Sequence, residues 1–170
     1  MIRNFILCVL FVTSLVACQK EKPKDVVLNA KTTAPEPTHV NEMPMLTVSD
    51  VDGTKVSLQE KTGNVLIICF NPDCDHCQRE AKLLSDNKDM LKNYEVYFIS
   101  PETIDMIKAF QKEYKLEEPN IHFGHIEPGD VINTLGAINE VPTFFLYRDQ
   151  KRVARLDGEQ PLEKVKAMLQ

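Results

Sequence analysis

The chain lacks tryptophan altogether, and its five cysteines form only one C-x-x-C pair in 170 residues. A zinc site built on two such pairs is therefore excluded. There is no basic excess either: 20 Lys+Arg stand against 25 Asp+Glu, a formal charge of -5. That balance gives no footing for nucleic-acid binding. Internal repeats and low-complexity tracts are missing. The apolar run FILCVLFVTSLVA, residues 5–17, falls short of the roughly 20 residues a spanning helix needs.

That run has the size of a secretory h-region, with Arg3 as its positive start. It ends in Leu15-Val16-Ala17-Cys18, which resembles the bacterial lipobox. The resemblance implies cleavage after residue 17 and a lipid on Cys18. Gln19 follows, not the Asp that resembles an inner-membrane retention signal, so the expected place is the outer membrane, facing the periplasm. Processing removes Arg3 and takes the formal charge to -6. Residues 18–43 carry Pro23, Pro35 and Pro37 and no apolar periodicity. They read as a flexible tether spanning roughly 25–30 Å. Residues 44–170 have the size of one domain.

Within the domain, residues 45–58 alternate about Asp52-Gly53 and predict a hairpin. VLIICF, 65–70, is an apolar run suited to a strand covered on both faces. Helical spacing runs through 74–91, EVYFIS (95–100) reads as a strand, and Pro101 opens a helix to about Leu116. A strand at 120–126, a helix at 129–138, a hairpin of 143–148 with 152–158 and a helix at 161–169 complete the pattern. This order predicts an α/β fold: a central mixed β-sheet flanked by helices, with an N-terminal β-hairpin.

Cys74 and Cys77 lie where the central strand gives way to a helix. C-x-x-C spacing serves redox exchange, half of a zinc site or a structural crosslink. A crosslink across two residues constrains little of the unfolded chain, and His122 and His125 are remote as metal ligands. A helix N-terminus favours a thiolate, the nucleophile of disulfide exchange, so redox chemistry leads. With Cys8 removed and Cys18 lipidated, Cys69 is left as a buried apolar thiol.

The strand, the C-x-x-C at a helix start and Val141-Pro142-Thr143 before a terminal hairpin are similar to the thioredoxin superfamily. Cys74-x-x-Cys77 followed by Glu80 resembles the envelope-tethered thiol–disulfide oxidoreductases of the TlpA/ResA type. The resemblance implies a thioredoxin-like fold, Cys74 as nucleophile, Cys77 as resolving thiol, and Pro142 as a cis-proline setting the Val141 backbone against the dithiol to pair with substrate. It implies protein disulfide or dithiol substrates, recycling by a membrane thiol reductant, and no cofactor beyond the cysteine pair. Glu80 is expected to hold His76 or to exchange protons with the thiols, the alternative being a solvated helix carboxylate. His76 resembles the oxidant and isomerase members, while Asp73 and Asp75 oppose its charge; Asp73 is also a candidate helix N-cap. Asp73 stands where the family usually has Trp, Ile68 where thioredoxins carry a buried acid, and Asn71 where a peroxidase needs Thr. The reading is an envelope reductase, with an oxidase or isomerase and a non-catalytic binding module as rivals.

Overall fold

Residues Val65–Ile68 of the central strand are at most 1% exposed, so neither side of it can carry polar groups. The computed structural model describes residues 40–170. The predicted signal, Cys18 and nearly all of the tether lie outside the described residues. Seven strands form one sheet: β1 Thr47–Asp50, β2 Lys55–Ser57, β3 Asn64–Cys69, β4 Glu95–Ser100, β5 Ile121–His125, β6 Thr143–Arg148 and β7 Lys151–Asp157. Their spatial order is β2-β1-β5-β4-β3-β6-β7. Strands β3, β4 and β5 run parallel, while β1 meets β5 and β6 meets β3 antiparallel. The hairpin β6–β7 turns on Asp149 and Gln150, both at positive φ.

Four helices, α1 Asp75–Asp86, α2 Ile104–Glu113, α3 Pro128–Leu135 and α4 Leu162–Leu169, cover the sheet. Strand side chains alternate between faces. Leu66 and Ile68 of β3 therefore pack with Ala81 and Leu84 of α1, Ile107 and Phe110 of α2 and Val165 of α4. Val65, Ile67 and Cys69 pack on the other face with Val131 and Leu135 of α3. Phe98 and Phe123 stack at 4.4 Å between ring centres, joining β4 to β5 under α2.

Several helix boundaries differ from the sequence reading: α2 ends at Glu113, short of Leu116, and α3 at Leu135, short of 138, and two further differences have side-chain causes. The segment 74–91 breaks at Asn87, whose Nδ2 donates to the Leu83 carbonyl at 2.9 Å, and a short 3₁₀ turn, Lys88–Leu91, follows. Pro101 does not open its helix. Thr103 is the N-cap, its Oγ1 accepting from the Met106 N–H, and α2 starts at Ile104. Asn41, Glu42 and Met43, counted with the tether in the sequence, are held on the domain: Glu42 N–H donates to Gln150 O at 2.7 Å and Met43 is buried.

Gly124 sits where β5 meets β1, and a Cβ there would fall 2.3 Å from Val48 Cγ1 and 2.7 Å from the Ser49 carbonyl oxygen. One obstacle is backbone and cannot rotate away. Gly124→Ala is expected to cost about 1–3 kcal/mol. A lower urea midpoint with an unchanged slope would register it; an unmoved midpoint would mean β1 sits more loosely than described.

Candidate functional site

The site begins where β3 ends. Asn71 builds the turn: its Oδ1 accepts from the Asp73 N–H at 2.8 Å and its carbonyl from the Cys74 N–H at 3.2 Å. The turn leaves Cys74 as the N-cap of α1, with extended backbone, and Cys77 in the first turn. Asp73 is exposed and does not cap the helix, because the turn carries the chain one residue further before it coils.

The two cysteines differ sharply. Cys74 is half-buried, whereas Cys77 is 2% exposed. Burial pushes the Cys77 thiol up to about 12, against a hydrogen bond from the Asn71 N–H at 3.5 Å, and contact with the Cys74 sulfur adds to the rise. Cys77 thus keeps its proton while Cys74 faces outward. Both are free thiols here, as is Cys69, which burial also pushes up to about 12.

Val141 and Pro142 come from the loop before β6, joined by a cis peptide bond. The Cys74 thiol lies 3.8 Å from the Val141 carbonyl oxygen, 67 residues along the chain. A cleft of about 920 Å³ opens over Cys74, and His76, Val141, Glu159, Gln160 and Pro161 help to line it.

Glu80 is neither a solvated carboxylate nor the partner of His76. It is 2% exposed, on the buried stripe Cys77-Glu80-Ala81-Leu84 of α1. That stripe follows the i, i+3, i+4, i+7 pattern of a core-facing helix. Its Oε2 accepts from the Gln160 N–H at 2.8 Å, and its Oε1 is buried without a protein partner among the described residues. Burial drives the carboxyl up to about 7, opposed by the Gln160 N–H and helped by the charge of Glu159. His76 instead points outward to Glu159, with Nδ1 2.8 Å from Oε2.

The structure therefore gathers Cys74, Cys77, Glu80, His76, Val141 and Pro142 around one sheet edge. Sequence reasoning missed Asn71 as turn builder, and Glu159 and Gln160 as partners of α1. The helical stripe was the available signal for burying Glu80. Nothing local to residues 159 and 160 marked them, since they lie some 80 residues away.

A mixed sheet with a dithiol at the start of α1, faced by a cis-proline loop, is the arrangement of the thioredoxin-like thiol–disulfide oxidoreductases. The chain belongs to the AhpC/TSA family, whose model matches residues 40–155. It is similar to the "Thiol-disulfide oxidoreductase ResA" of Bacillus cereus, 29% identical over 134 residues, covering 76% of this chain and 75% of the relative. The protein of the same name from Bacillus thuringiensis subsp. konkukian is 26% identical over 132 residues, covering 75% of each chain. Solved structures share the fold. StoA from Bacillus subtilis has a TM-score of 0.59 at 15% identity, over 76% of this chain and 99% of that one. A secreted Mycobacterium tuberculosis disulfide oxidoreductase, described as homologous to E. coli DsbE, has a TM-score of 0.61 at 14% identity, over 74% and 94%.

The Glu80 carboxyl yields a stability prediction. Its folded value, about 7, is raised above the ordinary 4.5. The folded state holds the extra proton, so this contribution is complete below about 4.5 and is lost as pH rises through about 7. Glu80→Gln keeps an acceptor for the Gln160 N–H and removes the titration. Urea midpoints compared at pH 5 and pH 8 should fall less in the variant than in the wild type. An equal fall would show that Glu80 ionises freely in the folded protein.

Proposed function

We propose that this thiol–disulfide oxidoreductase acts as a reductase of disulfides in extracytoplasmic proteins. One observation carries the reading: a cleft-facing Cys74 beside the Val141 carbonyl is paired with a buried, protonated Cys77 next to the buried Glu80. The Cys74 thiolate attacks a substrate disulfide, forming a mixed disulfide and releasing one substrate thiolate. Glu80, as carboxylate, accepts the proton of Cys77. The Cys77 sulfur then attacks Cys74 Sγ, closing the Cys74–Cys77 disulfide and freeing the second substrate thiolate. The substrate gains two electrons, the dithiol loses two, and the protons pass to the substrate thiolates. A membrane thiol reductant would restore the dithiol. Substrate backbone pairs with Val141 at the Pro142 loop. No cofactor beyond the dithiol enters this reaction.

The reducing direction is supported by Glu159, whose carboxylate stands 2.8 Å from His76 Nδ1 and offsets positive charge carried between the cysteines when the ring is protonated. Envelope location is supported by Leu15-Val16-Ala17-Cys18, and the similar M. tuberculosis protein is described as secreted. In this reading the domain hangs from a lipid on Cys18 at the outer membrane and works in the periplasm.

Cys77→Ser should accumulate a substrate mixed disulfide on Cys74, and Cys74→Ser should abolish reduction of an insulin-type disulfide. Glu80→Gln should slow the resolving step on the order of a hundredfold. Equilibration with glutathione should give a potential near the thioredoxin value of about −270 mV; one near about −120 mV would mean an oxidase. Equal reduction rates for wild type and Cys74→Ser would end the proposal. For location, Cys18→Ser should move the protein from the membrane fraction to the soluble periplasmic fraction, and unchanged fractionation would remove the lipid anchor.

A further inference from the structure

Beside the dithiol stands a second set of charges that the exchange reaction does not use. His76 and Arg79 lie three residues apart on the outward face of α1. Glu159 reaches them from the loop between β7 and α4. Arg79 donates to Glu159 from Nε at 2.9 and 3.1 Å and from Nη2 at 2.7 Å, a bidentate grip. His76 Nδ1 is 2.8 Å from Glu159 Oε2 and 2.8 Å from Arg79 Nη2. One nitrogen cannot donate and accept at once. Protonated, it donates to Glu159; unprotonated, it accepts from Arg79. The imidazole has a partner in either state and stays turned towards Glu159.

This is not an ordinary surface pair, because the loop bearing Glu159 is held from beneath. The next residue, Gln160, is buried; its N–H bonds Glu80, and its Nε2 donates to the Asp157 carbonyl at 2.6 Å and the Gly158 carbonyl at 3.0 Å. Gly158 turns at φ +75, where a Cβ would stand 2.8 Å from Glu140 Oε2. The carboxylate is therefore delivered to α1 by backbone already fixed, so little further backbone freedom is lost in forming the grip. Glu159 is held down at about 2, first by Arg79 and then by His76, and stays ionised across the working range.

We propose that Glu159 is a positioning residue of the redox site: it keeps the charge of His76 and Arg79 off the Cys74 sulfur and so keeps the dithiol reducing. The proposal rests on the redox reading given above. A cation beside Cys74 stabilises the thiolate, hence the reduced form, and makes the disulfide a stronger oxidant. Arg79 is held chiefly by Glu159, with Asp75 and the Cys74 side chain as weaker electrostatic neighbours, and His76 and Glu159 line the same cleft as Cys74. The other charges lining this cleft are acidic: Glu140 before β6 and Asp157 at the end of β7, itself paired with Arg155 at 2.7 Å. Asp73 and Asp75 are exposed at the start of α1, outside the cleft lining, and Asp75 lies on the Arg79 side. Glu159 alone among these acids bonds both His76 and Arg79.

The test uses the full mature chain equilibrated with glutathione buffers. Because His76 and Arg79 are more than half exposed, the effect is small. Glu159→Gln should move the equilibrium about threefold towards the oxidising side, about 14 mV by the two-electron conversion. The shift should shrink in about 1 M salt, where screening acts over about 3 Å. Glu159→Asp should restore most of the wild-type value. In a His76→Ala/Arg79→Ala background the Glu159→Gln shift should fall to a small remainder, the part carried by the direct action of Glu159 on Glu80. A shift that survives undiminished in that background would mean that Glu159 acts directly and overturns the positioning role. An exchanging wild type with an unmoved Glu159→Gln equilibrium overturns this proposal alone. A wild type that never equilibrates with glutathione overturns the redox reading and this proposal with it.

Discussion

Strand β3 is covered on both faces, with α1, α2 and α4 on one side and α3 on the other. Because both sides are dry from Val65 to Phe70, the next polar residue, Asn71, comes only where the strand leaves the sheet. Its side chain and carbonyl shape the turn that carries Cys74 to the cap of α1. Everything else at the site follows from that point of exit. The helix that starts there turns Cys77 inward within one turn, and the antiparallel pairing of β6 with β3 brings the Val141–Pro142 loop to the same edge, with Cys69 opposite Thr143.

The chemistry arises from inequality between two identical side chains. Cys74 is reachable and Cys77 is not, and the same burial that holds the proton on Cys77 raises the carboxyl of Glu80 into the neutral range. A buried acid titrating near neutrality beside a buried thiol is suited to moving a proton between states of the reaction. Burial of Glu80 is tolerable because Gln160 supplies an N–H; an uncompensated carboxylate there would carry a heavy desolvation cost. The loop after β7 thus serves the buried side of α1 through Gln160 and the exposed side through Glu159.

Much of the fold was legible because the core strands are extreme in composition. EVYFIS and TFFLYR coincide with β4 and β6 as observed. The helix ends were less legible, since Asn87 and Thr103 act through side-chain hydrogen bonds to specific backbone groups and periodicity does not register those. At the site, Cys74, Cys77, Val141 and Pro142 were readable from motif and position. For Glu80 the sequence left two orientations open, towards His76 four residues before it or towards the thiols; the spacing from Cys77 to Leu84 marks the face that packs, and Glu80 lies on it. Glu159 could not be found from sequence at all. Its partnership with α1 exists only because β7 and α4 meet beside that helix.

The central claim is that, of the three cysteines among the described residues, Cys74 is open to reaction and Cys77 and Cys69 are withheld by burial. Brief alkylation of the folded, reduced domain at pH 7, followed by mass mapping of each cysteine, measures this directly. Cys74 should be modified first and nearly alone, with Cys77 and Cys69 labelled only after unfolding. Comparable labelling of Cys77 and Cys74 in the folded protein would contradict the account.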